Sequence, residues 1–112
     1  MFVALVADLF FAARIEQIAQ QAGVRVRIVG TAADLGQAIV EAHPTHVLLD
    51  LRQTDEAILN LVADVPNVAG FGPHVERDRF QSARAGGVRT VWANSALADR
   101  LGPWLLAPRA GE

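Results

Sequence analysis

His46-Val-Leu-Leu-Asp50-Leu51-Arg52 is the stretch from which the fold is read. It is an apolar run of strand length that ends in a carboxylate, with Pro44 just upstream and the polar Thr54-Asp55-Glu56 downstream. So short a run, without polar alternation, suits a strand buried on both faces. The chain opens on the same pattern: Phe2 to Ala7 is continuously apolar and Asp8 follows at once. Asp8 and Asp50 therefore occupy equivalent places, each at the C-terminal end of a buried strand.

The segments around these strands alternate between two periods. From Phe10 to Ala22 the apolar positions Phe11, Ile15, Ile18 and Ala22 recur at helical spacing, and Gly23 supplies a left-handed stop. Val24 to Val29 alternates apolar residues with Arg25 and Arg27, which predicts a strand with one wet face near a sheet edge. Thr31-Ala-Ala-Asp34 resembles a capping box ahead of a helix with the stripe Leu35, Ala38, Ile39 and Ala42, ended by Pro44. Thr54 is expected to cap a third helix, with Asp55 and Glu56 in its first turn and Ile58, Leu61, Val62 and Val65 as its stripe, closed by Pro66. Val68 to Gly72 predicts a fourth strand, Glu76 to Ala85 a polar helix stopped by Gly86-Gly87, and Val88 to Trp92 a fifth strand. Asn94 or Ser95 is positioned to cap a last helix carrying Leu97, Leu101, Trp104 and Leu105.

Strict alternation of strands and helices, with no hairpin signal, predicts an α/β three-layer sandwich: a five-stranded parallel sheet with right-handed crossovers and helices on both faces. In such sheets ligands and chemistry sit at the C-terminal ends of the strands. That rule selects Asp8, Asp50, the segment Gly72-Pro73-His74, and Ala93-Asn94.

Composition narrows the function classes. The chain has no cysteine, which removes disulfides, thiolate nucleophiles and cysteine zinc sites and gives no sign of an oxidising compartment. The first residues lack the basic flank and cleavage site of a secretory signal, and a cytoplasmic location is expected. Charge is −2 with the arginines scattered, so neither a nucleic-acid-binding face nor a membrane span is predicted. All basic residues are arginine; there is no lysine. Phosphate loops of the Walker or dinucleotide type and Gly-x-Ser-x-Gly elbows are missing, which argues against a cofactor enzyme. His43 and His46 have the wrong spacing for a helical metal pair.

His46-Val-Leu-Leu-Asp50-Leu51-Arg52 resembles the third strand of response-regulator receiver domains, whose run ends in the phosphoacceptor aspartate. Val6-Ala7-Asp8 resembles the end of the family's first strand, and Ala83-Arg-Ala-Gly86-Gly87-Val88 its turn before the fifth; the likeness runs from Phe2 to about Leu105. It implies a flavodoxin-like sheet of order 2-1-3-4-5, a single domain over residues 1–107 with a short tail at 108–112, a phosphoacceptor-like place for Asp50 and a magnesium-binding role for Asp8 and Asp50. The chain departs from the family in specific ways. Ala7 stands where the first of two adjacent acids is usual, Gly72 where a Thr or Ser is usual, and Ala93 or Asn94 where a Lys is usual. Arg52 is the nearest sequence-local cation to Asp50.

Each candidate also has a structural explanation. Asp8 is equally suited to capping the first helix. Asp50 is a structural acid unless it accepts phosphate or a cation. His74 is an exposed turn residue unless its titration near neutrality is used, and Trp92 is expected to pack. The pocket residues expected beside the two acids are Arg52, Gly72, His74 and Asn94. The reading is a stand-alone pseudo-receiver, not an enzyme, that signals by binding a protein partner or a second copy. The fourth helix, fifth strand and fifth helix form its expected interface, with Arg77, Arg79 and Arg84 on the fourth helix. Two alternatives stay open: a receiver phosphorylated on Asp50 with magnesium, and a flavodoxin-like domain binding small anions or nucleotides, at Gly30-Thr31 or Asn94-Ser95 through backbone amides or around Asp8, Gly72 and His74.

Overall fold

The computed structural model describes residues 1–107; the expected tail at 108–112 lies outside them. Strands β1 (Phe2–Leu5), β2 (Val26–Val29), β3 (His46–Asp50), β4 (Asn67–Gly72) and β5 (Thr90–Ala93) alternate with helices α1 (Leu9–Gln21), α2 (Ala32–Ala42), α3 (Glu56–Leu61), α4 (Arg77–Ala85) and α5 (Leu97–Leu106). All pairings are parallel and the order is β2-β1-β3-β4-β5. The strand order reverses between β1 and β3, which leave the sheet on opposite faces and open a crevice at their C-terminal ends.

Strand alternation divides the core in two. Phe2, Ala4, Leu48 and Phe71 face α1 and α5, packing with Ile15, Ala19, Leu97 and Leu101. Val3, Leu5, Val47 and Leu49 face the other way and pack with Leu35, Ala38, Ile58 and Ala83 of α2, α3 and α4. β1 and the apolar part of β3 are fully buried, as continuous apolar runs require, whereas β2 is only partly buried at the sheet edge. There Arg27 reaches out to Glu41 at 3.0 Å.

Local signals were realised unevenly. Thr31 Oγ1 accepts the Asp34 N–H at 3.1 Å, as the capping pattern predicts. α2 ends at His43, which turns left-handed at φ 46° ahead of Pro44, a conformation that His tolerates better than most residues. Helix α3 is capped by Asp55, whose Oδ1 accepts the Ile58 N–H, and not by Thr54, whose hydroxyl donates to the Asp50 carbonyl. It also ends sooner than its apolar pattern: Ile58 and Val62 are buried, but Leu61 is exposed. Neither Asn94 nor Ser95 caps α5; both lie in a 3-10 turn, Asn94–Ala96, that precedes it. β2 and β5 each start two residues later than the apolar runs suggest. Among the described residues no helix is long and apolar enough to cross a membrane.

Candidate functional site

The site is built where β1 and β3 end side by side. Leu5 pairs with Leu49, so Asp50 lies one residue beyond this rung and Asp8 begins the next helix on the same rim. Asp50 is 2 % exposed. A carboxylate so buried requires donors, and the chain supplies them from two residues further on. The backbone turns at once into a 3-10 turn, Leu51–Gln53, which folds Arg52 back over the acid. Asp50 Oδ1 accepts the Arg52 backbone N–H at 3.0 Å and Nε at 3.3 Å, while Oδ2 accepts Nη2 at 3.2 Å. This is the two-pronged guanidinium–carboxylate geometry that arginine provides and lysine does not.

The other side of the guanidinium is aromatic. The Arg52 Cζ lies 5.9 Å from the centroid of the Phe11 ring, which in turn meets Phe71 at 5.4 Å. Asp50, by hydrogen bond and by charge, holds the Arg52 pKa above the ordinary guanidinium value, with smaller contributions from Asp8 and Glu76. Asp8 itself is exposed and acts as the α1 cap: its Oδ1 accepts the N–H groups of Phe10 at 2.8 Å and Phe11 at 3.3 Å.

The remaining expected pocket residues are spread along the rim. Gly72 is buried at the end of β4, one residue past Phe71, the partner of Asp50. A Cβ there would stand 3.4 Å from Phe80 Cε1 and 3.5 Å from Leu51 Cβ, so a small side chain finds tight but workable space. Gly72 pairs with Ala93, and the half-buried Asn94 follows, its Oδ1 enclosed without a hydrogen-bond partner among the described residues. His74 is exposed in the turn between β4 and α4. No cluster of three His, Asp or Glu side chains suited to a metal ion occurs among the described residues. A magnesium ion between Asp8 and Asp50 would have to share the Asp50 carboxylate with Arg52, because both of its oxygens accept from the guanidinium.

Sequence reasoning did not single out Gln53. Its Oε1 accepts the Ala7 N–H at 2.9 Å and its Nε2 donates to the Gly30 carbonyl at 3.2 Å. One amide thereby joins the loops that follow β1, β2 and β3. Gln53→Leu should cost about 1–2 kcal/mol, the price of two lost hydrogen bonds, and should speed amide exchange at Ala7 in native-state NMR more than exchange in β4. Unchanged protection at Ala7 would show that the bridge holds nothing. Arg79, with its side chain 45% exposed, also makes local contacts: Nη1 donates to the Leu51 carbonyl at 3.3 Å and Nε pairs with Glu76 at 2.9 Å. Arg77 and Arg84 are exposed.

No protein-family model and no curated protein matches the chain. Solved structures do. The signal receiver domain of a putative Luxo repressor protein from Vibrio parahaemolyticus superposes with a TM-score of 0.77 at 22% identity, covering 93% of this chain and 85% of that one. The receiver domain of NtrX from Brucella abortus gives 0.79 at 21%, over 90% and 91% of the two chains. A CheY-like protein, tadZ, from Pseudomonas aeruginosa gives 0.74 at 18%, over 93% and 94%. With its strand order, its crevice between β1 and β3 and these superpositions, the chain has the CheY-like receiver fold.

Proposed function

We propose that the chain is a receiver-like signalling module whose acidic site is neutralised from within by Arg52, and that it acts by binding a protein partner instead of cycling a phosphoryl group. The observation that carries this reading is the double hydrogen bond from the Arg52 guanidinium to Asp50. Aspartyl phosphorylation needs a free carboxylate oxygen in line with the donor, a metal ion to gather charge, and groups to hold the transferred phosphoryl. Here the carboxylate is engaged, Asp8 caps α1, and Gly72 and Ala93 offer neither hydroxyl nor ammonium. Arg52 supplies a permanent positive charge at the place where the metal would act. A rim so balanced needs no covalent input to hold one conformation, which suits a constitutive binding surface. The exposed Arg77 and Arg84 leave α4 able to meet an acidic partner surface.

The test is incubation with a small acyl phosphate and magnesium, read by intact mass. The wild-type chain should gain no phosphoryl mass. A stable gain that Asp50→Asn abolishes would overturn the reading and favour a receiver phosphorylated on Asp50.

A further inference from the structure

The end of the sheet opposite Asp50, where the strands begin, holds a cavity of about 390 Å³ beside β4 and β5, within the range of small-molecule sites. It exists because β5 starts late. The β4–β5 ladder opens at Ala69 with Thr90, so no strand pairs with the Asn67–Val68 end of β4 on that side. Gly87, left-handed at φ 104°, completes the turn after α4 and leaves Val88 and Arg89 outside the ladder. The Asn67 N–H donates to the Thr45 carbonyl on the β3 side, so by strand alternation the Val68 N–H points the other way, into the gap. Neither the Val88 nor the Arg89 carbonyl accepts it.

The lining is apolar on two walls and positive at one point. Leu59, Val65 and Val68 contribute to it and are only partly buried. Trp104 borders it from α5, its ring held by edge contacts with His46 at 4.8 Å, Trp92 at 5.5 Å and Phe2 at 6.2 Å. Arg89 is the only charged residue on the lining, and no carboxylate faces it there. Its guanidinium makes no hydrogen bond or ion pair among the described residues, and neither does the Thr90 hydroxyl.

We infer that this cavity binds a small organic anion with a flat apolar body, an aromatic carboxylate. Its ring lies against Trp104 and the aliphatic side chains of Leu59, Val65 and Val68, and its carboxylate is met by Arg89, the Thr90 hydroxyl and the Val68 N–H. A cation would face Arg89 with nothing to offset it, and a nucleotide carries more negative charge than one arginine balances. The occupant would join the unpaired end of β4 to the start of β5 and to α5. None of this uses the Asp50 chemistry, so the site and the interaction role proposed above can fail separately.

The test uses the full chain with benzoate, naphthoate and indole carboxylate, each beside its neutral carboxamide, followed by titration calorimetry and amide-detected NMR. At least one carboxylate should bind saturably at sub-millimolar concentration, with affinity falling as salt rises, and its amide should bind about tenfold more weakly or worse. Shift changes should centre on the amides of Val68, Arg89 and Thr90 and on the Trp104 indole. Arg89→Gln removes an exposed charge and should weaken binding about tenfold, the strength of one charge-assisted hydrogen bond. Ala63→Trp, at an exposed lining position, should fill the cavity and abolish binding in a chain that still unfolds cooperatively. The inference is overturned if no carboxylate binds, if the amides bind equally well, if the shift changes fall elsewhere, or if either folded variant keeps full affinity.

Discussion

Leu51→Ala should cost about 2–5 kcal/mol, in the range of large-to-small core substitutions, and Gly70→Ala should cost about 1–3 kcal/mol through overpacking; the double variant should lose clearly less than their sum. Leu51 is 2% exposed and starts the 3-10 turn after Asp50. Its side chain lies over the adjacent strand at Gly70, where a Cβ would fall 2.5 Å from Leu51 Cδ2 and 3.0 Å from Cγ. The two residues fit as a plug and a gap. Alanine at 70 needs room that only Leu51 can give up, and once Leu51 is shortened the added methyl fills part of the cavity. Residues in such contact should be coupled by about 0.5–3 kcal/mol. Chemical denaturation of the four chains, with equal slopes, measures this. Additive losses would show that Leu51 escapes the clash by moving elsewhere, and that Gly70 does not position the turn.

That pair also explains which features the sequence revealed and which it hid. The buried strands ahead of Asp8 and Asp50 were visible because burial on both faces leaves an unbroken apolar run, although only Asp50 closes its strand, while Asp8 stands three residues beyond β1 as the cap of α1. The sheet order came from resemblance, since nothing in a strand's own residues says which neighbour it takes. Helix ends were less legible. Thr54 and Asp55 are both good caps, and the choice between them turned on the Asp50 carbonyl, which claims the Thr54 hydroxyl. Leu61 carried the right spacing for a core position but lies beside Gly36 of α2 and stays 40% exposed, while Ile58 and Val62 on either side of it reach the core. At the site, Arg52 was found by elimination in a chain without lysine. Gln53 was not, because a glutamine after a strand has no pattern; its role comes from loops 46 and 23 residues away that only the folded topology brings within reach. Gly70 was likewise silent, its need set by Leu51 across the sheet.

Arg52→Ala should destabilise the chain by about 1–2 kcal/mol. Removing one partner of a wholly buried ion pair costs roughly 3–5 kcal/mol, but the Arg52 side chain is 39% exposed, so water and salt screen part of its charge. The Asp50 side chain, 3% exposed, would keep only the backbone N–H of residue 52 as a donor. The pH dependence follows from the sign of the shift. Asp50 raises the Arg52 pKa, so the arginine's contribution is complete below its ordinary titration range and disappears only as pH climbs through the raised value. The difference between wild type and Arg52→Ala should therefore stay constant from neutral to moderately alkaline pH and shrink with added salt. Magnesium provides the functional counterpart. If Arg52 is the site's own counterion, millimolar magnesium should leave the wild-type melting temperature unchanged and raise that of Arg52→Ala, because the freed Asp50 and the nearby Asp8 then have a cation to gain. Asp50→Asn added to Arg52→Ala should remove that rise. Equal stabilisation of wild type and Arg52→Ala by magnesium would mean that the guanidinium yields to the metal, and internal neutralisation of the site would be wrong.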